Sequence, residues 1–368
     1  MNARELLQRA SSLVLAVLFF APLNATLHPW PAGTLSAPHY REIGDWILGC
    51  DNTRRCVARY VPRTADGVPG GDSDLFSMVI VREEGPLGLQ VRLTGFGSFD
   101  TSDMLIDGRA APNATWVDSD DHRDAMIYDE EAFRFLRGIV NARELTFSGR
   151  TLRQRVSLQG LTAVLLAMDE VQGRLGDQSA LVRTGPKPFG SAPRVLAPPV
   201  IAIRKSTELP AGDALAAAVR RGQTALLELH ACDLKTGTGD EAHLLRDGQA
   251  VVLIGCGRFA YQTSSLAFTV DPRDPGTARL LILPQPPLVP VPDSVDALGE
   301  YVSLAFDRGK STLTEFSKGR GMADCGSLTE WAFDGTTFRL SAFAWQQRCG
   351  GEPEQWLTLY RSDLKVLP

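Results

Sequence analysis

The stretch SKGRGMADCGSLTEWAFDGTTFRLSAFAWQQRC, residues 317–349, decides what kind of fold this chain adopts. Apolar and polar residues alternate on both sides of Asp334-Gly335. Alternation is the period of a strand with one buried face, and Asp-Gly between two such runs is a strong hairpin signal. Cys325 precedes the hairpin and Cys349 follows it, so a bridge between them ties its open end. YVSLAFD and STLTEFSKG before it and EQWLTLYR after it carry the same pattern and extend it into a β-meander. The stretch also holds Lys318, Gly319, Arg320 and Gly321, a candidate anion-binding turn of two cations and a backbone nest. The plainer and preferred reading is a glycine turn between strands with Arg320 packed over Trp331.

The chain has six cysteines, an even number. Near the start, Arg4 and Arg9 precede the apolar run SSLVLAVLFFAPL, and Asn24-Ala25-Thr26 offers a small residue for cleavage. That is the layout of a secretory leader over residues 1–25. The run stops at Pro22, short of the ~20 apolar residues of a spanning helix. Cysteines behind a leader argue for disulfides in an oxidising compartment. Six allow 15 pairings. Spacing favours Cys50–Cys56, Cys232–Cys256 and Cys325–Cys349, each closed within its own segment. Zinc would need a close Cys-x-x-Cys or a His/Cys cluster, and the sequence has neither, so no metal or other cofactor is expected.

Cleavage would move the formal charge from −5 to −6. A mildly acidic chain of mixed charge does not bind nucleic acid by electrostatics, and it offers no basic face to anionic lipid. Residues 26–43 read as an exposed lead-in. Residues 44–175 read as a β-rich domain: WILGC and CVARYV flank a tight turn, followed by FSMVIVRE, LGLQVRLTGF and a hairpin at Asp107-Gly108. Helical spacing appears in EEAFRFLRGIV and GLTAVLLAMDEVQGRL. Residues 176–200, rich in Pro and Gly, read as a linker. Residues 201–368 read as a second β-rich domain opening with the helix GDALAAAVRRGQ and the strand ALLELHAC, with a subdomain break at 283–292. The expected fold is β-rich α+β. It has two disulfide-pinned domains on antiparallel sheets, sandwich- or barrel-like, and two or three helices.

Three motifs imitate sites. Gly255-x-Gly257-x-x-Ala260 follows an apolar strand like a dinucleotide fingerprint, but strand-like sequence follows where a helix is required. DSDDHRD, residues 118–124, is acidic, but His122 stands where a calcium loop needs an oxygen, so an exposed loop is favoured. Asn113-Ala-Thr115 is a glycosylation sequon, meaningful only in a host that glycosylates exports. No Gly-x-Ser-x-Gly or His-Glu-x-x-His occurs. None of His28, His39, His122, His230 and His243 stands beside a credible nucleophile.

GDWILGCDNTRRC, VREEGP and SKGRGMADCG…WAFDGTTFRL…RCGG together resemble the bacterial domain-of-unknown-function family 1176. Residues 44–175 also look similar to invasion-associated locus B proteins. The resemblance implies an exported bacterial envelope protein and carries over no catalytic residues. The expected role is a periplasmic or outer-membrane-associated binding or envelope-interaction protein, with an envelope protein or glycan as partner. It would have no stable membrane span after processing. The alternatives are an envelope hydrolase using dispersed carboxylates and a purely structural accessory.

Overall fold

Strands in the N-terminal half pair largely in chain order. β1 (His39–Ile43), β2 (Trp46–Cys50), β3 (Cys56–Tyr60), β4 (Ser77–Arg82) and β5 (Leu89–Thr94) form an antiparallel meander. β6 (Met104–Ile106) and β7 (Arg109–Ala110) make a hairpin whose two loop residues, Asp107 and Gly108, both have positive φ, as a tight twisted hairpin requires. β8 (Val117–Asp118) and β9 (Asp124–Tyr128) return to complete a seven-stranded sheet of order β1-β2-β3-β4-β5-β9-β8. Helix α1 (Asp129–Ile139) follows, then β10 (Glu144–Ser148) and β11 (Arg153–Ser157), which join the β6–β7 hairpin in a second sheet, then α2 (Leu161–Val171). One face of the large sheet, both helices and the second sheet enclose the first core, with Trp46, Met78, Ile80, Val91, Phe147, Leu165 and Met168 at its centre. Each such side chain stabilises the fold by roughly 1.5–3 kcal/mol relative to exposure.

The C-terminal half begins with β12 (Val200–Ile203), α3 (Gly212–Gly222) and α4 (Thr224–Leu229). β13 (Glu241–Leu244), β14 (Ala250–Arg258), β15 (Thr263–Asp271) and β16 (Asp274–Leu280) form the next sheet, with β17 (Glu300–Val302) paired to β15. β18 (Ala305–Asp307), β19 (Thr312–Lys318), β20 (Gly326–Phe333), β21 (Phe338–Gln346) and β22 (Leu357–Arg361) form the expected meander. β23 (Asp363–Val366) runs parallel to β12.

This is a computed structural model; it describes residues 38–63, 76–83, 85, 88–95, 97–148, 153–193, 196–233, 239–286, 288 and 299–367. The expected leader, its cleavage point and half of the proline-rich 283–292 stretch, 287 and 289–292, lie outside these residues. Among them, no sheet closes into a barrel and no helix is long and apolar enough to cross a membrane.

The structure differs from the sequence reading at three places. ALLELHAC is not a strand. Its Ala, Leu and Glu are helix formers with no β-branched residue, and they continue α3 into α4, making four α-helices among the described residues rather than two or three. Residues 39–43, read as lead-in, are a strand of the main sheet. Residues 177–182, read as linker, lie against the first core. Asp177, Ser179, Ala180 and Leu181 are buried, and the Leu181 and Val182 N–H groups donate to the Asp169 carboxylate. The Asp334-Gly335 hairpin is present, with a four-residue loop between the paired Phe333 and Phe338.

The three disulfides are Cys50–Cys56, Cys232–Cys256 and Cys325–Cys349. The loop closed by the first one docks on β22. Asn52 exchanges two hydrogen bonds with the Arg361 backbone, at 3.0 and 2.9 Å, and Asp51 pairs with the Arg361 guanidinium at 2.8 Å. Gly49 allows this approach, because a Cβ there would lie 2.7 Å from Leu357 Cβ. β22 therefore crosses the second face of the large sheet, where Ile47, Val57, Val61, Val79 and Leu357 share a small core.

Candidate functional site

Strand alternation builds the site. In β3 the side chains of Cys56, Ala58 and Tyr60 enter the first core, so Val57 and Arg59 face the other way. In β4 Val79 and Val81 do the same, and in β5 Gln90 and Arg92. Register places these six in two rows across three strands: Val57–Val81–Gln90 and Arg59–Val79–Arg92. Arg55, from the disulfide loop, stands one alternation beyond Val57, beside Glu83. Gln355, Trp356, Leu357 and Thr358 form the opposite wall. Between them lies a groove of about 310 Å³.

The three arginines of the groove are not equivalent. Arg55 donates to Glu83 at 2.9 Å. Arg92 is held by Asp124 at 2.8 Å and lies 3.8 Å from Glu352. Arg59 is 4% exposed, and neither its Nε nor its Nη1 has a hydrogen-bond partner. Burial pulls its guanidinium down to about 10, with Arg92 adding to the fall and Glu352 opposing it. It stays charged at neutral pH. Gly351, with φ of +82°, turns the chain over it, and a Cβ there would sit 3.4 Å from Arg59 Cδ. Glu352 accepts from Gln355 at 2.7 Å through Oε2, while its Oε1 is buried with no donor. Arg59 lines the groove, and a guanidinium presents a planar fork suited to carboxylate or phosphate.

The expected anion-binding turn is arranged otherwise. Lys318 to Gly321 do lie together, at the end of β19. Arg320, however, forks onto buried Asp324, with Nε to Oδ1 at 2.6 Å and Nη2 bonded to Oδ2. Its charge is already matched. Arg320 does not pack over Trp331, whose indole N–H donates to the Pro284 carbonyl at 2.7 Å and whose ring meets Tyr301. The Lys318 ammonium lies 5.6 Å from the centre of the Tyr261 ring, and Gln262 clips the Lys318 backbone from both sides. Asp324 stands beside the Cys325 and Cys349 sulfurs, but a disulfide has no thiolate to give a metal. The glycines of VVLIGCGRFA belong to β14 and lead into β15, not into a helix. In the acidic loop, Asp124 is taken by Arg92 and Thr94, and Asp121 by Ser119.

Sequence reading missed Arg59, Arg92 and the wall opposite them. The signal available was an arginine at alternate positions of two apolar strands, CVARYV and LQVRLT. Its burial depends on β22, some 300 residues further along the chain.

A family model described as "Protein of unknown function (DUF1176)" matches residues 40–363. The chain belongs to that family. The groove falls inside the matched span, as do all three disulfides. An Escherichia coli (strain K12) relative, the uncharacterized protein YpfG, is 29% identical over 361 residues, covering 94% of this chain and 97% of that protein. No solved structure matches the chain.

Proposed function

We propose that this DUF1176 protein is exported to the periplasm and binds there, in the Arg59 groove, a ligand carrying an anionic group. The leader-like N-terminus and the three disulfides support the compartment. The observation that carries the binding reading is Arg59: a buried charge facing a groove with unfilled donors. Burying N–H donors without hydrogen-bond partners is unfavourable, and a ligand's anionic group would supply them. The same geometry disfavours the hydrolase reading. The groove is lined by arginines, glutamines and apolar side chains. Among the described residues, the buried carboxylates Asp51, Asp169, Asp177 and Asp324 accept hydrogen bonds from the Thr53 N–H, Arg82, the Ser179 N–H and Arg320.

Thermal-shift titration with millimolar carboxylic acids and amino acids tests this. At least one should raise the melting temperature of the wild type in a saturable way, as binding to the native state requires, and none should raise that of Arg59→Met. A wild type unmoved by every carboxylate would sink the reading. Fractionation tests the compartment: mature protein should begin near Thr26 in the periplasmic fraction, and intact Met1 in the inner membrane would refute export.

A further inference from the structure

At the end of β12 the fold gathers three cations that belong to no part of the Arg59 groove. Arg204, Lys205 and Arg246 line a cavity of about 570 Å³ together with Ser206, Thr207, Val366 and Leu367. Three segments build it: the chain after β12, the loop between β13 and β14, and the end of β23. Their backbones are pinned. The Leu367 N–H donates to the Ile203 carbonyl at 2.7 Å, the Ser206 N–H to the Arg308 carbonyl at 3.0 Å, and the Ser311 hydroxyl to the Arg204 carbonyl at 2.5 Å. Buried Leu245 anchors the loop that carries Arg246. The three cationic side chains are exposed, and among the described residues none forms an ion pair or a side-chain hydrogen bond. No carboxylate lines the cavity. Asp247 and Asp307, close by in the chain, are turned into their own loops, where they accept the Gln249 and Gly309 N–H groups. The chain carries a formal charge of −5, so a trio of cations without a carboxylate is unlike its average surface. Like charges held together on a pinned backbone repel, and an anion between them relieves this. A carboxylate fills one guanidinium fork. A phosphate monoester brings nearly two charges and three terminal oxygens, one for each cation. Val366, 51% exposed, and Leu367 give apolar surface to the esterified group. We infer that this cavity is a second site, separate from the Arg59 groove, and that it binds a phosphate monoester, either soluble or as a lipid headgroup.

The test is calorimetric titration of the whole protein, wild type and Arg59→Met, with glycerol 3-phosphate and with acetate at low salt, beside flotation with phosphatidylcholine vesicles that do or do not carry phosphatidic acid. At least one of the two monoesters should bind, about tenfold or more tightly than acetate or plain phosphatidylcholine, and equally in Arg59→Met. Binding to the vesicles alone assigns the site to a lipid headgroup, binding of glycerol 3-phosphate alone to a soluble ester, and binding of both to either source. Arg204→Gln and Arg246→Gln should each weaken binding by about tenfold, the loss of one charge-assisted contact, and keep the melting temperature. Arg109→Gln removes one exposed charge from the β6–β7 hairpin and should change nothing. The inference is overturned if neither monoester binds, if acetate binds as tightly, or if Arg109→Gln weakens binding as much as Arg246→Gln. Loss of binding in Arg59→Met would also overturn it, because the phosphate would then sit in the groove.

Discussion

Arg59 and Arg82 lie on adjacent strands and illustrate two fates of a buried arginine. Arg82 faces the first core, where it donates to Asp169 at 2.7 Å and to the Ser179 carbonyl, and Asp169 accepts two backbone N–H groups besides. Every demand there is met. Removing one partner strands the other, so Asp169→Leu should destabilise by about 3–5 kcal/mol. Arg59 has unfilled donors, so Arg59→Met should be neutral or stabilise the unliganded protein by about 1–3 kcal/mol. Urea midpoints compare the two. An Arg59→Met loss as large as that of Asp169→Leu would make Arg59 a structural residue. Asp107 offers a pH probe. The Arg143 and Glu144 N–H groups hold its carboxyl below the ordinary carboxylate range. A depressed carboxyl contributes stability above its unfolded value, near 4, and loses it as pH falls through the folded value. The stability difference between wild type and Asp107→Asn should therefore hold constant near neutrality and shrink below about pH 4. A difference that stays flat to pH 2 would show the clip contributes nothing. At this scale the sequence was half legible. Alternation gave Arg59 and Arg92 a common face, but nothing local tells whether that face meets water or another strand.

At the scale of elements, turn chemistry carried most of the information. Asp107-Gly108 marked a hairpin because few other dipeptides take positive φ cheaply at both positions, Gly335 takes it after Asp334, and the cysteine spacing marked three closures within their own segments. α4 was misread because a Leu-x-Leu run fits a strand as well as a short amphipathic helix, and only its packing against α3 decides. The closures should differ in weight. In the chain-entropy model, the 24-residue separation of Cys325–Cys349 stabilises by about 3 kcal/mol and the 6-residue separation of Cys50–Cys56 by about 2. Their effects on the groove should run the other way. Only the Cys50–Cys56 loop carries Arg55 and the Asp51 and Asn52 contacts to β22, so Cys50→Ala/Cys56→Ala should weaken ligand binding beyond its effect on stability. Cys325→Ala/Cys349→Ala should lower the melting temperature more. Equal binding losses in the two double variants would remove the special role of the first loop.

At the scale of the molecule, the groove exists because residues 40–61 and residues 345–361 are packed together. The Tyr40 and Trp345 rings pack tilted with centroids 4.6 Å apart, Arg348 donates to the Gly44 carbonyl at 3.0 Å, and Arg361 is clasped by Asp51, Asn52 and Thr53. Leu357, 1% exposed, is the C-terminal member of an otherwise N-terminal core. Contacts of such sequence separation are invisible to local pattern reading, which is why the chain reads as two domains and a linker. They also predict coupling. Leu357→Ala should destabilise by about 2–5 kcal/mol, the usual range for a buried leucine. Its effect should appear in the sheet it touches rather than in the meander alone. Native-state hydrogen exchange reads this directly, since amides that open only with the whole structure report the global free energy. In Leu357→Ala, the β2 and β3 amides from Trp46 to Tyr60 should lose protection by the same free energy as those of β20 and β21. If β20 and β21 lose protection while β2 and β3 keep theirs, the two halves fold independently. The Arg59 groove would then be a seam between domains, open to closure and release by their motion.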